Sequence, residues 1–395
     1  MRLLKKFALV LLVPILTSCG ASQNIQDFTY VVAIGIDFDK EKNDYLIYAM
    51  ALDFSGVAKT ESAKPVGPSP IWVGKSSGKT LSEALAKLQR SSQPQLYLRH
   101  VRTILLSEEV LQSRFLEVTQ ELGRLDFFRQ TNFILGTKES IPDIFTTHGL
   151  FFYPPLYTIL LKPRKEDTES LLKHFTYREF ISQFYEPVGA TYVPSIGVED
   201  KWSEDQSSYK NLTFTGAYFY ENQAYQGFKP VDKIKGIRWR EHAPMKNTYI
   251  LGDPENPHTV VRVKTSKMDI QLVQQKNKPI FDVSVKGDAD ILESIQNVSE
   301  AKIKEDIEEI IHEEINKSFK EGLTINSDVL RLGVEWFRIH KGSYLDFIKK
   351  NNPNTLYLDE NSLKNIKVTI NLHSTYNYKL KTRTNIWDQK SIYSK

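Results

Sequence analysis

From residue 30 onward, apolar and polar positions divide the chain into strands and helices. Tyr30 to Asp37 (YVVAIGID) is a nearly continuous apolar run, the pattern of a buried strand. Lys40 to Asp44 is a polar turn and Tyr45 to Leu52 (YLIYAMAL) a second run, so the pair reads as a hairpin. Ser55 to Pro70, rich in Ser, Gly, Pro and Lys, reads as a loop before a short strand at Ile71-Trp72-Val73. Leu81, Leu85 and Leu88 share one face of a helix ending near Arg90, and Thr80 with Glu83 makes a capping box at its start. Strands are predicted at Val101 to Leu106 and Asn132 to Gly136. Helices are predicted after Ser107, up to Gly123, from Ile141 to Phe145 with Pro142 in the first turn, and from Thr176 to Tyr185. Strands alternating with helices suggest a mixed α/β first domain.

The second half begins after a polar, charged stretch, Val198 to Lys210, read as a boundary. Thr213 to Tyr220 and Gly227-Phe228 frame a hairpin around Glu221-Asn222-Gln223, and Gly252 to His258, with two prolines, reads as a linker. Val260 to Val263, Lys267 to Val273 and Pro279 to Lys286 alternate as antiparallel strands with one wet face. Ser299 caps a long helix to about Lys320, with Ile303, Ile307, Ile310, Ile311, Ile315 and Phe319 at helical spacing. Helices at Val329 to Lys341 and Ser343 to Lys350 and a strand at Ile366 to Leu372 follow. The expected class is α+β or mixed α/β in three domains with flanking helices: 30–198, a small middle domain at 210–252, and 259–395. Leu150 to Leu161 (LFFYPPLYTILL) is read by default as core, with an interaction surface as the alternative.

The amino terminus has a pattern of its own. Arg2, Lys5 and Lys6 precede an apolar run from Phe7 to Leu16, too short for a bilayer-spanning helix of about 20 residues. It reads as an export signal, residues 1–18, and Leu16-Thr17-Ser18-Cys19 closes it as a bacterial lipobox cut between Ser18 and Cys19. Cys19 would then carry an S-diacylglycerol and an acylated amino terminus, two attachments that give stable membrane binding where one chain is marginal. Residues 19–29 form a polar tether; Gly20 to Thr29 reaches about 33 Å at roughly 3.3 Å per residue.

Composition narrows the function. The formal net charge of +4 comes largely from the signal: without Arg2, Lys5 and Lys6 the 52 basic residues fall to 49 against 48 acidic. That balance gives no footprint for nucleic acid. Cys19 is the single cysteine, so its lipidation would leave no thiol for a disulfide, metal or nucleophile.

Three motifs invite catalysis and each falls short. Gly74 to Thr80 (GKSSGKT) resembles a phosphate loop, but the motif places its first glycine at Val73. Gly74-Lys75-Ser76-Ser77-Gly78 fits the GxSxG elbow literally, making Ser76 a candidate nucleophile with His100, His148, His174 and His242 available as bases. His312-Glu313 begins HExxH, but Asn316 stands where the second zinc ligand belongs. No catalytic residue, cofactor or metal is therefore assigned, and the chain is expected not to be an enzyme.

Several ordered features together resemble the Ger(x)C family of spore germination lipoproteins. They are the lipobox at Cys19, the Ala33-Ile34-Gly35-Ile36-Asp37 strand, Ser77 to Leu81 with Glu83-Ala84-Leu85, Leu96-Tyr97 to His100-Val101, and Ile141-Pro142-Asp143-Ile144. Gly216 to Phe219 with Gly227-Phe228, and Tyr344-Leu345-Asp346-Phe347, continue the series. Gly20-Ala21-Ser22 departs from the Trp-Asp that usually follows the family's cysteine, and Gly123 to Arg129 keeps only part of a charged motif. The resemblance implies three mixed α/β domains and a non-enzymatic C subunit of a nutrient-germinant receptor, supporting its assembly or signalling. It also implies integral-membrane A and B subunits as partners and a lipid anchor on the outer face of the spore inner membrane or cell membrane. The residue-level alternatives are an exported lipid-anchored serine hydrolase using Ser76, or a solute-binding lipoprotein.

Overall fold

The structure is a computed structural model that describes residues 28–52, 70–153, 155–162, 172–204, 207–240, 246–274, 278–351 and 355–374. The signal, Cys19, most of the tether and nearly all of the 55–70 loop lie outside the described residues.

Strand β1 (Phe28–Asp39) turns at Asn43, which takes a positive φ of 53°, into β2 (Asp44–Leu52), and the two pair antiparallel as their patterns predict. β3 (Ile71–Gly78) pairs with β2 along its whole length, from Leu52↔Ile71 to Tyr45↔Gly78. Residues 74–78, expected as a loop, are therefore strand. Their small polar side chains carry no strand signal, and the ladder offered by β2 supplies it instead. Helix α1 (Leu81–Ser91) follows, with the Thr80 hydroxyl accepting the Glu83 amide at 3.1 Å. The Glu83 carboxylate reaches back one residue further than expected, to the Lys79 amide at 2.8 Å.

β4 (Gln95–Tyr97), β5 (Thr103–Ser107), α2 (Phe115–Leu122), β6 (Phe133–Thr137), α3 (Ile141–Thr146) and α4 (Tyr177–Phe184) come next. β7 (Thr191–Glu204), β8 (Ser207–Glu221) and β9 (Ala224–Pro230) complete a nine-stranded sheet ordered β3-β2-β1-β5-β6-β7-β8-β9, with β4 against the start of β1. The polar stretch 198–210, expected as a boundary, is the far end of the β7–β8 hairpin, where exposure on both faces masks the alternation. The β8–β9 turn is as predicted: Asn222 and Gln223 both take positive φ, which a two-residue hairpin turn requires.

A second sheet has the order β10-β11-β12-β13, formed by β10 (Asn247–Asp253), β11 (Asn256–Gln274), β12 (Ile280–Ser294) and β13 (Leu363–Ser374). The 252–258 segment is no linker: Asp253 pairs with Asn256 across a tight turn and Gly252, at φ 101°, lies opposite Pro257. Two strands expected in 260–273 are one 19-residue strand with a register shift between Val263 and Thr265. The stretch expected as a middle domain gives β8 and β9 to the first sheet and β10 to the second. β12 and β13 are parallel, and the connection between them carries α5 (Glu300–Thr324), α6 (Gly333–Ile339) and α7 (Lys341–Lys350). α6 starts later than the helix expected from 329, for a reason given below.

The first sheet is buried on both faces, which is why β1 reads as an unbroken apolar run. Ile34, Ile36, Ile104 and Leu106 face the core shared with α1, α2 and α4, while Ala33, Leu105 and Leu135 face Ile144, Phe145, Leu160 and Leu161. Of the 150–161 stretch, the part from Pro155 to Leu161 is core apart from Tyr157, with Leu156 and Ile159 packed beside the buried Leu160 and Leu161. Phe151, Tyr153 and Tyr157 are 85%, 56% and 55% exposed, on and beside two short turns at 150–152 and 155–157.

Candidate functional site

Ser76 is held as a strand residue. It lies on the face of β3 that meets α1, and its Oγ donates to the Ala84 carbonyl at 2.5 Å. A nucleophile elbow needs a sharp strand-to-helix turn that bares the hydroxyl; here the peptide is extended and the hydroxyl is engaged. His174 is stacked on Phe214 with ring centroids 4.6 Å apart, burial pushes its imidazole down to about 4, and it belongs to the core. His242 lies outside the described residues. The lysines of the phosphate-loop-like stretch are engaged elsewhere: Lys79 pairs with Asp44 at 2.6 Å, and Lys75 lies 5.4 Å from the Tyr48 ring centroid. Among the described residues no three His, Cys, Asp or Glu side chains gather as metal ligands. No helix among them is long and apolar enough to cross a membrane.

The structure instead brings together two buried polar joints that the motif search missed. At the first, the end of β8 meets the segment after α5. The Glu221 carboxylate accepts the Asp328 amide at 2.7 Å. Asp328 accepts the amides of Leu332 at 2.9 Å and Gly333 at 2.8 Å and the Tyr357 hydroxyl at 2.6 Å. These bonds fold 328–332 into a loop with Arg331 at φ 56°, so α6 begins only at Gly333. Gly333 is required there, since a Cβ would stand 2.2 Å from the Tyr357 hydroxyl. Arg331 donates to the Ala190 carbonyl at 2.8 Å and pairs with Glu186, while Tyr344 donates to the Pro187 carbonyl. Burial and the Asp328 charge push the Glu221 carboxyl up to about 8, and burial raises Asp328 as well.

At the second joint, Glu314 of α5 gathers the Arg238 guanidinium at 2.5 Å, the Trp239 indole N–H at 3.1 Å and the Tyr249 hydroxyl at 3.2 Å. Asn247 of β10 accepts a further Arg238 N–H at 3.1 Å. Both joints tie elements together, and Glu314 of the second also lines a cleft of about 600 Å³ along α5. In sequence their only signal is a charged residue beside large apolar ones, as in Ile237-Arg238-Trp239.

Cys19 and Ser18 lie outside the described residues, so their chemistry stays an inference from sequence. The described chain begins at Phe28, nine positions past Cys19. There an aromatic cluster closes the start of the sheet: Tyr97 lies 5.2 Å from Phe28 and 5.6 Å from Tyr30, and His100 lies 5.2 Å from Tyr30 between ring centroids.

Comparison with known proteins assigns this architecture. Residues 21–198 match the family model described as the spore germination protein N-terminal domain, and residues 215–378 match the spore germination B3/GerAC-like C-terminal domain. The chain is 21% identical over 344 residues to spore germination protein B3 of Bacillus subtilis (strain 168), spanning 80% of this chain and 86% of that protein. It is also 31% identical over 136 residues to the putative spore germination protein YfkR of the same organism, spanning 34% of this chain and 35% of that protein. The crystal structure of the GerBC protein shares the fold, with a TM-score of 0.52 at 15% identity over 87% of this chain and 98% of that one. With both halves of one family matched in order across nearly the whole chain, this protein belongs to the GerAC family of spore germination proteins, the C subunits of germinant receptors.

Proposed function

We propose that the protein is cut between Ser18 and Cys19, lipidated at Cys19, and held on the outer face of the spore inner membrane or cell membrane. There it serves as a non-enzymatic subunit supporting assembly or signalling of a nutrient-germinant receptor with integral-membrane A and B subunits. The observation that carries this reading is the lipobox Leu16-Thr17-Ser18-Cys19 in front of a chain whose family match begins at residue 21 and whose first strand begins at Phe28. A folded body so close to a lipidated cysteine stays within tens of ångströms of the bilayer, where a membrane-embedded partner can reach it. The engaged hydroxyl of Ser76 favours this over the hydrolase reading.

The test is Cys19→Ala in spores. The altered protein should leave the inner-membrane fraction and slow germination to at least one nutrient, and affinity capture of the unaltered protein from detergent-solubilised membrane should recover two polytopic proteins. Normal germination with the altered protein present at normal level but detached, or capture of the lipoprotein alone, would refute the reading.

A further inference from the structure

The end of the first sheet where β1 starts carries Arg102, Arg129 and Lys162, which have no carboxylate partner among the described residues. Backbone pairing identifies this end. Trp72 of β3 is in register with Ala51 of β2, and Ala51 with Val31 of β1. The Arg102 amide donates to the Val32 carbonyl at 2.8 Å, and the Phe133 amide to the Arg102 carbonyl at 2.7 Å. One row across the sheet thus joins Trp72, Arg102 and the start of β6. At about 4.8 Å between strands, Trp72 and Arg102 lie about 15 Å apart.

Between the starts of β5 and β6 opens a cleft of about 300 Å³, lined by Arg102, Arg129 and Lys162 with Thr131 and Asn132 and, among the described residues, by no carboxylate. All three cations are exposed, and among the described residues none of them has an ion-pair partner. Lys162 rests 5.4 Å from the Tyr157 ring centroid. Arg99 and His100, in the turn before β5, are exposed at the same end, and Trp72 is 69% exposed. Because basic and acidic residues nearly cancel over the mature chain, this grouping is a local field and not a consequence of net charge.

We propose that this end docks on the bilayer, with the Arg102–Arg129–Lys162 cleft taking the phosphate of anionic phospholipid headgroups and Trp72 seated at the membrane interface. The proposal rests on the reading of Cys19 as the lipid anchor, and two observations commit it to lipid. The chain between Cys19 and Phe28 reaches about 30 Å at most, so the start of β1, and with it this end of the sheet, stays within that distance of the bilayer. The cleft's three cations also complement anionic headgroups, while tryptophan, apolar with one N–H, prefers the headgroup level. The tether alone would leave the body free to tumble. The docked end fixes its orientation and with it the face offered to a membrane partner.

The single cysteine makes the test direct. The chain from residue 19 is coupled through Cys19 to a maleimide lipid in vesicles carrying brominated acyl chains, of phosphatidylcholine alone or mixed with phosphatidylglycerol. Tryptophan fluorescence should be quenched in the mixed vesicles, and that quenching should disappear in Trp72→Phe. In parallel, the uncoupled Cys19→Ala chain should sediment with the mixed vesicles. Each basic side chain at an anionic surface is worth about fivefold, so Arg102→Gln/Lys162→Gln should lower that partitioning about 25-fold. Quenching that is absent, that is equal without the anionic lipid, or that survives Trp72→Phe would overturn the proposal, as would partitioning indifferent to the two glutamines. The last results would assign this end to a protein partner instead. Because coupling is chemical, these outcomes do not depend on lipidation in the cell, which Cys19→Ala in spores tests separately.

Discussion

Glu221 is a carboxyl group that the fold has closed off from water, 5% exposed at the end of β8 with Asp328 as its neighbour. Burial and that second acid push it up to about 8 from the ordinary 4.5. Between those values the native chain holds a proton that the unfolded chain has released, so stability falls as pH rises through this window and levels off above it. Glu221→Gln keeps an oxygen for the Asp328 amide and removes the titration. Its midpoint of thermal unfolding should stay nearly flat from about pH 6.5 to pH 8.5 while that of the native protein drops by several degrees; parallel curves would refute the assignment. His174 acts from the other side, because burial keeps it neutral and its stabilisation is lost as pH falls from 6.5 toward about 4. None of this is legible in the sequence, where Glu221 looks like a turn residue and Asp328 like a surface acid.

At the scale of elements, legibility followed periodicity. α5 was readable because Ile303, Ile307, Ile311 and Ile315 recur on one face, and all four are fully buried against the second sheet. Ile311→Ala should cost about 2–5 kcal/mol, read as a lower denaturant midpoint with an unchanged slope; a loss below about 1 kcal/mol would mean that α5 is not packed as described. β1 and β2 were readable for the same reason, and the capped start of α1 because Thr80 stands three residues before Glu83. β3 and the β7–β8 hairpin were not. Their strand character comes from the partner's ladder, and residues such as Gly74, Lys75 and Ser76 carry no preference for it.

At the scale of the whole molecule, the two sheets meet where β9 reaches the end of α5 and β8 reaches Asp328 in the segment between α5 and α6. Lys229 of β9 reaches Glu321 at 2.6 Å and Thr324 at 2.5 Å, and Arg331 and Tyr344 hold the 186–190 segment ahead of β7. Arg331→Ala leaves the Ala190 carbonyl without this donor and should cost about 1–3 kcal/mol. The variant should unfold at a lower temperature and, as the tie between the sheets weakens, in a broader transition; an unchanged midpoint and width would show that apolar packing alone joins them. The proposed membrane-facing end lies across the sheet from this junction, on the side of β3, β1 and β5.

The sequence by itself determined the strands and helices of strong apolar period and the resemblance to the family, and it alone carries the proposed export signal and lipobox at Cys19, because each is a pattern of residue types along the chain. Tertiary structure decided that 74–78 is strand, that 252–258 is a turn within a sheet, and that 210–252 is shared between two sheets. It also decided that Glu221 with Asp328 and Arg238 with Glu314 are buried joints, and that Arg102, Arg129 and Lys162 converge. Those outcomes depend on which segments become neighbours, and hydrogen-bond ladders, desolvation and charge clustering exist only once distant parts of the chain have met.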